Sequence, residues 1–562
     1  MQCLRKSLGG GWIILLLLVT VALVVSACGR AADPQEPEEP TTPTEPTEPA
    51  ADEPAEPVTQ VIRVPEHEPT GLDPTKGGHG YYASVNMFVT LIDIYTEAGV
   101  QKPMAAERWE WSDDGLQLTF YLRQDMLWSD GNQVTAHDFR YAWLRQLDPA
   151  TAAYGPSAIF PIVNAQAFNR GEVTDREAVG IEAPDDFTLR LTLDYPSPAL
   201  LQRIGGSRWM AVPEWVVEEH GDRWVFAENI VTCGPYTMES WSHDRQMVLV
   251  KDENWWGPEP SIDRIEFLIM EDAWGRGIFA YEAGEVDWAE VPAGELERVR
   301  NDPVLSTQAH NVDLMGVVYV NVDNANPPFD DVRVRKAFHM AIDREVLTRD
   351  VLAGAYDPAW SIVPPGIMGR NPDNAFGYDP DRARELLAEA GYPDGEGLRD
   401  ITLVFWSVDR ARTCAEAIQA MLKNELNVNL VLQPLEPAAM ADYRISVRET
   451  SYDLYWGLGW AGVGDPTEFH DQFYSEFSWM RTRFSDPEYD VLTKAAGQEV
   501  DPDRRAELYY EAETILNEAV PLIPLFYEGK VHLIQPRVKG LLEATSPLAV
   551  TILYYDGVHI EE

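Results

Sequence analysis

The chain opens on one unbroken apolar run, residues 12–25 (WIILLLLVTVALVV), behind the basic pair Arg5 and Lys6. The run is 14 residues long. A helix needs roughly 20 to span a bilayer, so this length fits a signal-peptide core better than a span. Further on, the pattern turns to alternation. Leu189, Leu191 and Leu193 share one face and Thr188, Arg190 and Thr192 the other, which predicts a half-buried strand; residues 118–123 (LTFYLR) predict another. Asp114-Gly115 and Asp130-Gly131 are turn pairs suited to positive φ. In the second half the period becomes helical. Near Asp331 a helix begins with Val334, Phe338, Ala341 and Ile342 facing inward. Asp379 caps a second helix and Pro380 takes its first position; Ala383, Leu386, Leu387 and Ala390 form its apolar face, and Gly391 and Pro393 stop it. Asp501-Pro502 opens a third helix, carrying Tyr509, Ala512, Ile515 and Leu516. The strand Ile401–Trp406 precedes a helix with Cys414 and Ile418 on its apolar side, a β-α unit. Strands and helices mix without a strict βαβ repeat, so the class is α/β. No period of 20 to 50 residues recurs, which excludes a solenoid or propeller.

Composition adds a compartment. Ser26 and Ala27 are small residues directly before Cys28, and Val25-Ser26-Ala27-Cys28 resembles the bacterial lipobox. Residues 1–27 are therefore expected to be a lipoprotein signal peptide, with Cys28 lipidated and serving as the membrane anchor. Residues 33–57 hold nine carboxylates, eight prolines and no Lys or Arg, a segment that cannot bury a core. Proline favours the extended polyproline form there, so 28–57 are expected to be a stalk. About 500 residues follow, enough for two or three domains. The formal net charge of −48 repels phosphate backbones, which argues against nucleic acid as a partner. Of four cysteines, Cys3 leaves with the signal and Cys28 is lipidated. Cys233 and Cys414 are either a disulfide or two buried free thiols; the helical position of Cys414 favours the thiol.

Motifs of catalysis are missing. The sequence has no GxxxxGK[ST] loop, no HExxH, no GxSxG and no CxxC. No His or Cys cluster suggests a metal or heme, and no cofactor is expected. With 92 acidic residues, a carboxylate pair carries no information without geometry. The 18 tryptophans are an excess; most belong to cores, and the rest suit a large, partly apolar ligand cavity.

A family resemblance rests on motifs in order along the chain. Residues 128–139 (WSDGNQVTAHDF) are similar to the WSDGxPVTAxDF motif of the oligopeptide- and dipeptide-binding proteins of ABC importers, extracellular solute-binding protein family 5. Cys233-Gly234-Pro235-Tyr236 resembles its GTGPY strand, Ala283-Gly284-Glu285-Val286-Asp287 its AGEID turn, and residues 328–337 (PFDDVRVRKA) its PPFNDVRVRKA segment. Residues 386–392 (LLAEAGY) and 521–525 (PLIPL) match as well. The resemblance implies a two-lobed periplasmic-binding-protein fold (type II, cluster C-like) with an extra subdomain in the first lobe. It places lobe I at 58–315 with 522–562, the extra subdomain at about 86–203, and lobe II at 316–521. The crossings fall at 312–320 and 521–527. It further implies a monomer, no enzyme, that closes by a hinge on an oligopeptide and delivers it to permease transmembrane subunits. Some relatives bind sugars, so an oligosaccharide or other non-peptide solute is the alternative, favoured by the tryptophans.

Part of the binding site carries over. In the family a stretch like GW.ADYxDP lines the cleft and pairs by its backbone with an extended peptide. Here it reads Gly459-Trp460-Ala461-Gly462-Val463-Gly464-Asp465-Pro466. The aspartate that takes the peptide ammonium falls on Val463, and the segment is one residue short. Asp465 is then the candidate anchor, or the cap of the next turn. Arg410 and Arg412, after the strand Ile401–Trp406, are candidates for a peptide carboxylate or plain surface residues. Tyr81, Tyr82 and Trp406 are further candidate lining residues.

Overall fold

The strands that carry the architecture are, in chain order, β1 (Val61–Glu66), β2 (Ala106–Trp111), β3 (Gln117–Leu122), β4 (Ile181–Asp185), β5 (Thr188–Thr192), β6 (Tyr236–Ser242) and β7 (Gln246–Lys251). They continue with β8 (Arg264–Ile269), β9 (Trp288–Glu290), β10 (Ala309–Val322), β11 (Ile401–Trp406), β12 (Leu430–Leu435), β13 (Leu454–Trp460) and β14 (Leu522–Ile534). This computed structural model describes residues 59–77, 81–95, 100–153, 155–372, 376–447, 450–460, 462–475, 482–545, 548 and 557–561, all inside the unit Val58–Glu562. The expected signal, Cys28 and the stalk lie outside the described residues.

Three sheets result, with orders β1-β8-β7-β6, β2-β3-β5-β4 and β9-β14-β10-β13-β11-β12. In the first, β1 runs parallel to β8 and the other pairs are antiparallel. In the second, alternation sets the register: Leu118 faces Leu191 and Phe120 faces Leu189, all buried. Phe139 and Trp143, from the helix Ala136–Leu147, join the same core as these leucines.

The 128–139 motif is structural in origin. Trp128 is buried edge-on to Trp215, with ring centroids 5.7 Å apart. Gly131 takes φ +87° in the turn behind it. Thr135 caps the helix, and its N–H donates to Asp138 Oδ2 at 2.7 Å, closing a capping box. Burial pushes the Asp138 carboxyl up to about 6 against these hydrogen bonds. Gly234 is required by close approach: a Cβ there would meet the Met87 carbonyl carbon at 2.6 Å and the Asn86 oxygen at 2.7 Å.

In the second half, Asp331, Asp379 and Asp501 each cap their helix by accepting a backbone N–H. Val334, Phe338, Ala341 and Ile342 are buried as the helical period predicts. Ala383, Leu386 and Leu387 are buried too, whereas Ala390 and Ile515 stop half-buried at the margin of their cores. The helix Asp409–Leu426 covers β11 with Cys414 and Ile418 inward. Cys233 belongs to the core of the first sheets and Cys414 to the core around β11, both as free thiols. The disulfide alternative is corrected accordingly, since a bridge needs the two cysteines side by side. Burial pushes the Cys414 thiol up to about 12, which makes it inert.

Asp287 joins the first sheet to the third. Its backbone N–H donates to the Arg63 carbonyl at 2.8 Å, and its carboxylate accepts the Arg63 N–H at 2.7 Å and pairs with Arg537. Asp287→Ala removes a buried acceptor and leaves an unpaired N–H; we expect a loss of about 2–3 kcal/mol in denaturant unfolding, and an unchanged midpoint contradicts this role for Asp287.

Candidate functional site

Two long strands define the site. β10 and β14 pair antiparallel, from Ala309 opposite Leu533 to Asn321 opposite Leu522. Their far ends serve different neighbours: β9 pairs with the C-terminal end of β14, and β13 with the C-terminal half of β10. Between these ends the ladder breaks twice, between Asp313 and Val317 and between Val318 and Tyr319. Such bulges bend and twist paired strands and re-aim side chains. Gly316 sits in the first break, where a Cβ would meet Glu528 Cβ at 3.0 Å, the Gly459 oxygen at 3.1 Å and Trp460 Cε3 at 3.2 Å. The absent side chain lets the Trp460 indole lie against the strand.

Beside the break, β14 turns charge inward. Glu528, Lys530 and His532 alternate along it and so share one face. Arg410 Nη1 donates to Glu528 Oε1 at 2.7 Å and to the Tyr356 hydroxyl at 3.2 Å. Lys530 Nζ donates to Glu290 Oε2 at 2.6 Å and stands 5.4 Å from the centre of the Trp274 ring. Trp274 in turn meets His67 edge-on at 4.5 Å. Trp288 packs 5.1 Å from His532 and 6.3 Å from Tyr82. Glu66, the last residue of β1, accepts the His67 N–H at 2.8 Å.

Burial dominates the electrostatics. It pushes the Glu66 carboxyl from 4.5 up to about 7, against the His67 N–H and the Lys530 charge. It also raises Glu528 despite Arg410, and holds His532 down at about 4 and therefore neutral. Three buried polar atoms here have no hydrogen-bond partner among the described residues: Glu66 Oε2, Glu528 Oε2 and Trp288 Nε1.

The residues singled out in the sequence meet different fates. Gly459 is buried opposite Val317, and Trp460 is half-buried opposite Gly316. Ala461 lies outside the described residues, as does the Tyr81 side chain. Arg410 reaches β14, where its Nη1 is held by Glu528 and Tyr356. Arg412 is exposed and donates to Ser407 Oγ at 3.3 Å. Trp406 is half-buried between two apolar cores on β11. Tyr82 is buried against Trp288. The anchor reading of Asp465 is corrected: both its oxygens are taken by the Arg505 fork at 2.8 Å, and Thr467 N–H and Oγ1 add 3.0 and 2.7 Å. Burial raises the Asp465 carboxyl, yet Arg505 and Thr467 bring it below its usual range. It is a buried structural pair and turn cap. Val463 is buried in the core of the first sheets, where the family pattern has its aspartate.

Glu66, Trp274, Trp288, Glu528 and Lys530 were missed in the sequence. A signal existed for part of them. The segment 522–534 (LIPLFYEGKVHLI) is apolar except for Glu528, Lys530 and His532 at alternate places in its second half, as a strand with one polar face requires. Among the described residues, no group of His, Cys, Asp and Glu is placed to hold a metal, and no helix is long and apolar enough to cross a membrane.

Comparison with known proteins agrees with this architecture. The family model for bacterial extracellular solute-binding proteins, family 5, matches residues 101–481. A probable deoxycholate-binding periplasmic protein of Escherichia coli K12 is 31% identical over 496 residues, 86% of this chain and 90% of that protein. A murein tripeptide-binding protein in its unliganded open form superposes with TM-score 0.76 at 27% identity, over 89% of this chain and 97% of its own. The Haemophilus influenzae oligopeptide-binding protein in complex with the peptide RPPGFSPFR superposes with TM-score 0.71 at 27% identity, over 90% and 99%. These are two-lobed periplasmic binding proteins of mixed α/β content, and the fold expected from the motifs is the fold found.

Two stability outcomes follow. Asp465→Asn breaks a buried ion pair, so we expect a loss of about 3–5 kcal/mol at neutral pH; a loss below 1 kcal/mol in denaturant unfolding contradicts this. Glu66 binds its proton more tightly folded than unfolded, so stability falls as pH rises from about 4.5 to about 7. Glu66→Gln is expected to be more stable than the parent at pH 8, by up to about 3 kcal/mol, and nearly equal to it at pH 4; equal thermal midpoints at both contradict the raised carboxyl.

Proposed function

The chain belongs to the bacterial extracellular solute-binding proteins, family 5, and on that premise we propose that it captures an oligopeptide between two lobes and hands it to the permease of an ABC importer. In this reading lobe I is 58–315 with 522–562, bearing the extra subdomain at about 86–203, and lobe II is 316–521. β10 and β14 are the connections on which the lobes close. Residues 1–27 direct export, lipidated Cys28 anchors the chain at the outer face of the membrane, and the acidic stalk carries the lobes clear of it. The protein works as a monomer and without catalysis, because capture needs only closure.

The observation that carries this reading is the interrupted crossing of β10 and β14 beside Trp460 and the charged face of β14. A ladder broken at one level can bend there while both ends stay paired. Beyond β13 the glycines Gly462 and Gly464 keep the backbone open to close approach, which suits recognition of an extended peptide by its main chain. Gly459, Trp460, Ala461 and Arg410 are the proposed lining; Arg412, Trp406, Tyr81 and Tyr82 stand behind them as secondary candidates.

A second reading keeps the fold and role but takes an oligosaccharide or another non-peptide solute. Trp274, 41% exposed at the site, favours it, since aromatic faces stack on sugar rings. Its support is narrow, because other tryptophans are internal: Trp128, Trp143 and Trp224 are fully buried.

The test is native mass spectrometry of protein purified without unfolding. Adducts at peptide masses are expected, while a ladder of hexose spacings establishes the second reading and ends the first. Trp460→Ala is expected to weaken the ligand so identified by about tenfold or more, roughly 1.4 kcal/mol; full affinity removes Trp460 from the site.

A further inference from the structure

Away from β10 and β14, an ion pair joins two of the cores. Arg203 Nη2 donates to Asp471 Oδ2 at 3.2 Å. The helix of Arg203, Ala199–Ile204, sends Leu200, Leu201 and Ile204 into the core of the first sheets. Asp471 follows the helix Thr467–His470; Phe469 on that helix and Phe473 beyond it belong to a different core, with Val317 and Tyr319 of β10. Burial lowers the Arg203 guanidinium, yet Asp471, Glu468 and Asp465 hold it above its usual range. These three carboxylates stand together on 465–471, so the charge of Arg203 is answered from across the boundary between the cores.

The two ion pairs of this segment differ in kind. Asp465 and Arg505 are each 5% exposed, so parting them would strand a charge in the interior. They fix the start of the segment, and the Asp471 that follows is placed by them. Arg203 and Asp471 are 18% and 50% exposed, so water reaches this pair and takes up both charges when it separates. The boundary is met at two further points. Val463 belongs to the core of the first sheets, and Val500 Cγ1 comes 3.8 Å from where a Cβ on Gly115 would stand, in the turn between β2 and β3. The recognition stretch is close at hand: Glu468 Oε2 lies 3.8 Å from the Cβ position of Gly462. The proposed peptide-pairing backbone and the ion pair thus share one short run of chain.

We propose that Arg203 and Asp471 form a latch, paired when the lobes close and parted when they open, by which the extra subdomain holds the ligand in. This rests on the two-lobe reading above, in which Arg203 ends the extra subdomain of lobe I and Asp471 belongs to lobe II. The latch acts at the seam between the lobes, on the segment that carries the recognition backbone, and touches no ligand itself.

Small-angle X-ray scattering of the full-length protein, with no ligand added, tests this. Arg203→Ala and Asp471→Asn are expected to have a larger radius of gyration than the parent. Arg203→Asp combined with Asp471→Arg is expected to return to the parent value; residues 1–57, common to all, cancel in the comparison. Asp471→Asn changes almost no volume at a half-exposed place, so the test does not depend on the Arg203 variant folding. Equal radii in the parent and the single variants overturn the latch. A charge exchange that stays as open as the single variants overturns it too, because a merely packed side chain is not rescued by exchanging charge. Calorimetric titration with tri-, tetra- and pentaalanine reads the consequence: the single variants are expected to bind about three- to tenfold more weakly than the parent, and the exchanged pair to bind as the parent does. Equal peptide affinity in the parent and the single variants overturns the latch while the peptide reading stands. Enlarged radii in the single variants, with no peptide bound by any of the proteins, support the latch and overturn the peptide reading instead.

Discussion

The antiparallel pairing of β10 with β14 is the constraint from which the rest of the structure follows. A chain that carries two separate cores needs connections whose backbone groups remain satisfied. One pair of long strands meets that need, because each strand keeps a partner along its length: β14 lies between β9 and β10, and β10 between β14 and β13. The two breaks in the ladder concentrate the irregularity at one level, and Gly316 leaves room there for Trp460. What surrounds this level, the Glu528 face on one strand and the end of β13 on the other, is placed by the register alone.

Charge at that level is held at a cost. Glu528 with Arg410 and Lys530 with Glu290 offset much of the desolvation, as buried pairs must. At Glu66 burial outweighs the His67 N–H and the Lys530 charge and raises the carboxyl to about 7. The Asp465–Arg505 pair shows the contrasting arrangement, a carboxylate with every strong donor supplied from within the protein. One carboxylate is finished as structure and the other is left open. That difference, rather than the number of acids, is what tertiary geometry adds in so acidic a chain.

The motifs by which the family is recognised turn out to be folding devices where the structure explains them. Trp128 fills a core, Asp130-Gly131 makes a turn, Thr135 and Asp138 cap a helix, Gly234 permits a backbone crossing and Asp287 ties two sheets. They identify the scaffold and say nothing of the solute. Residues such as Val463, Glu66 and Trp288 belong to none of these motifs. A family of one fold can accordingly include relatives named for deoxycholate and for oligopeptides.

Local periodicity was legible because each segment carries its own instructions. The capped helices at Asp331, Asp379 and Asp501, the alternation at Leu189 and Leu191, and the strand Ile401–Trp406 were determined by nearest neighbours in the chain, and the collinear motifs determined the family. The site was less legible, because its members are distant in sequence: Glu66, Glu290, Arg410 and Glu528 come from four separate elements. Asp465 illustrates the limit. Its sequence position allowed an anchor or a cap, and only the approach of Arg505 from another helix decided for structure. Whether a carboxylate is free or spoken for is a property of which charges folding brings beside it, and that is determined by tertiary packing rather than by the order of residues near it.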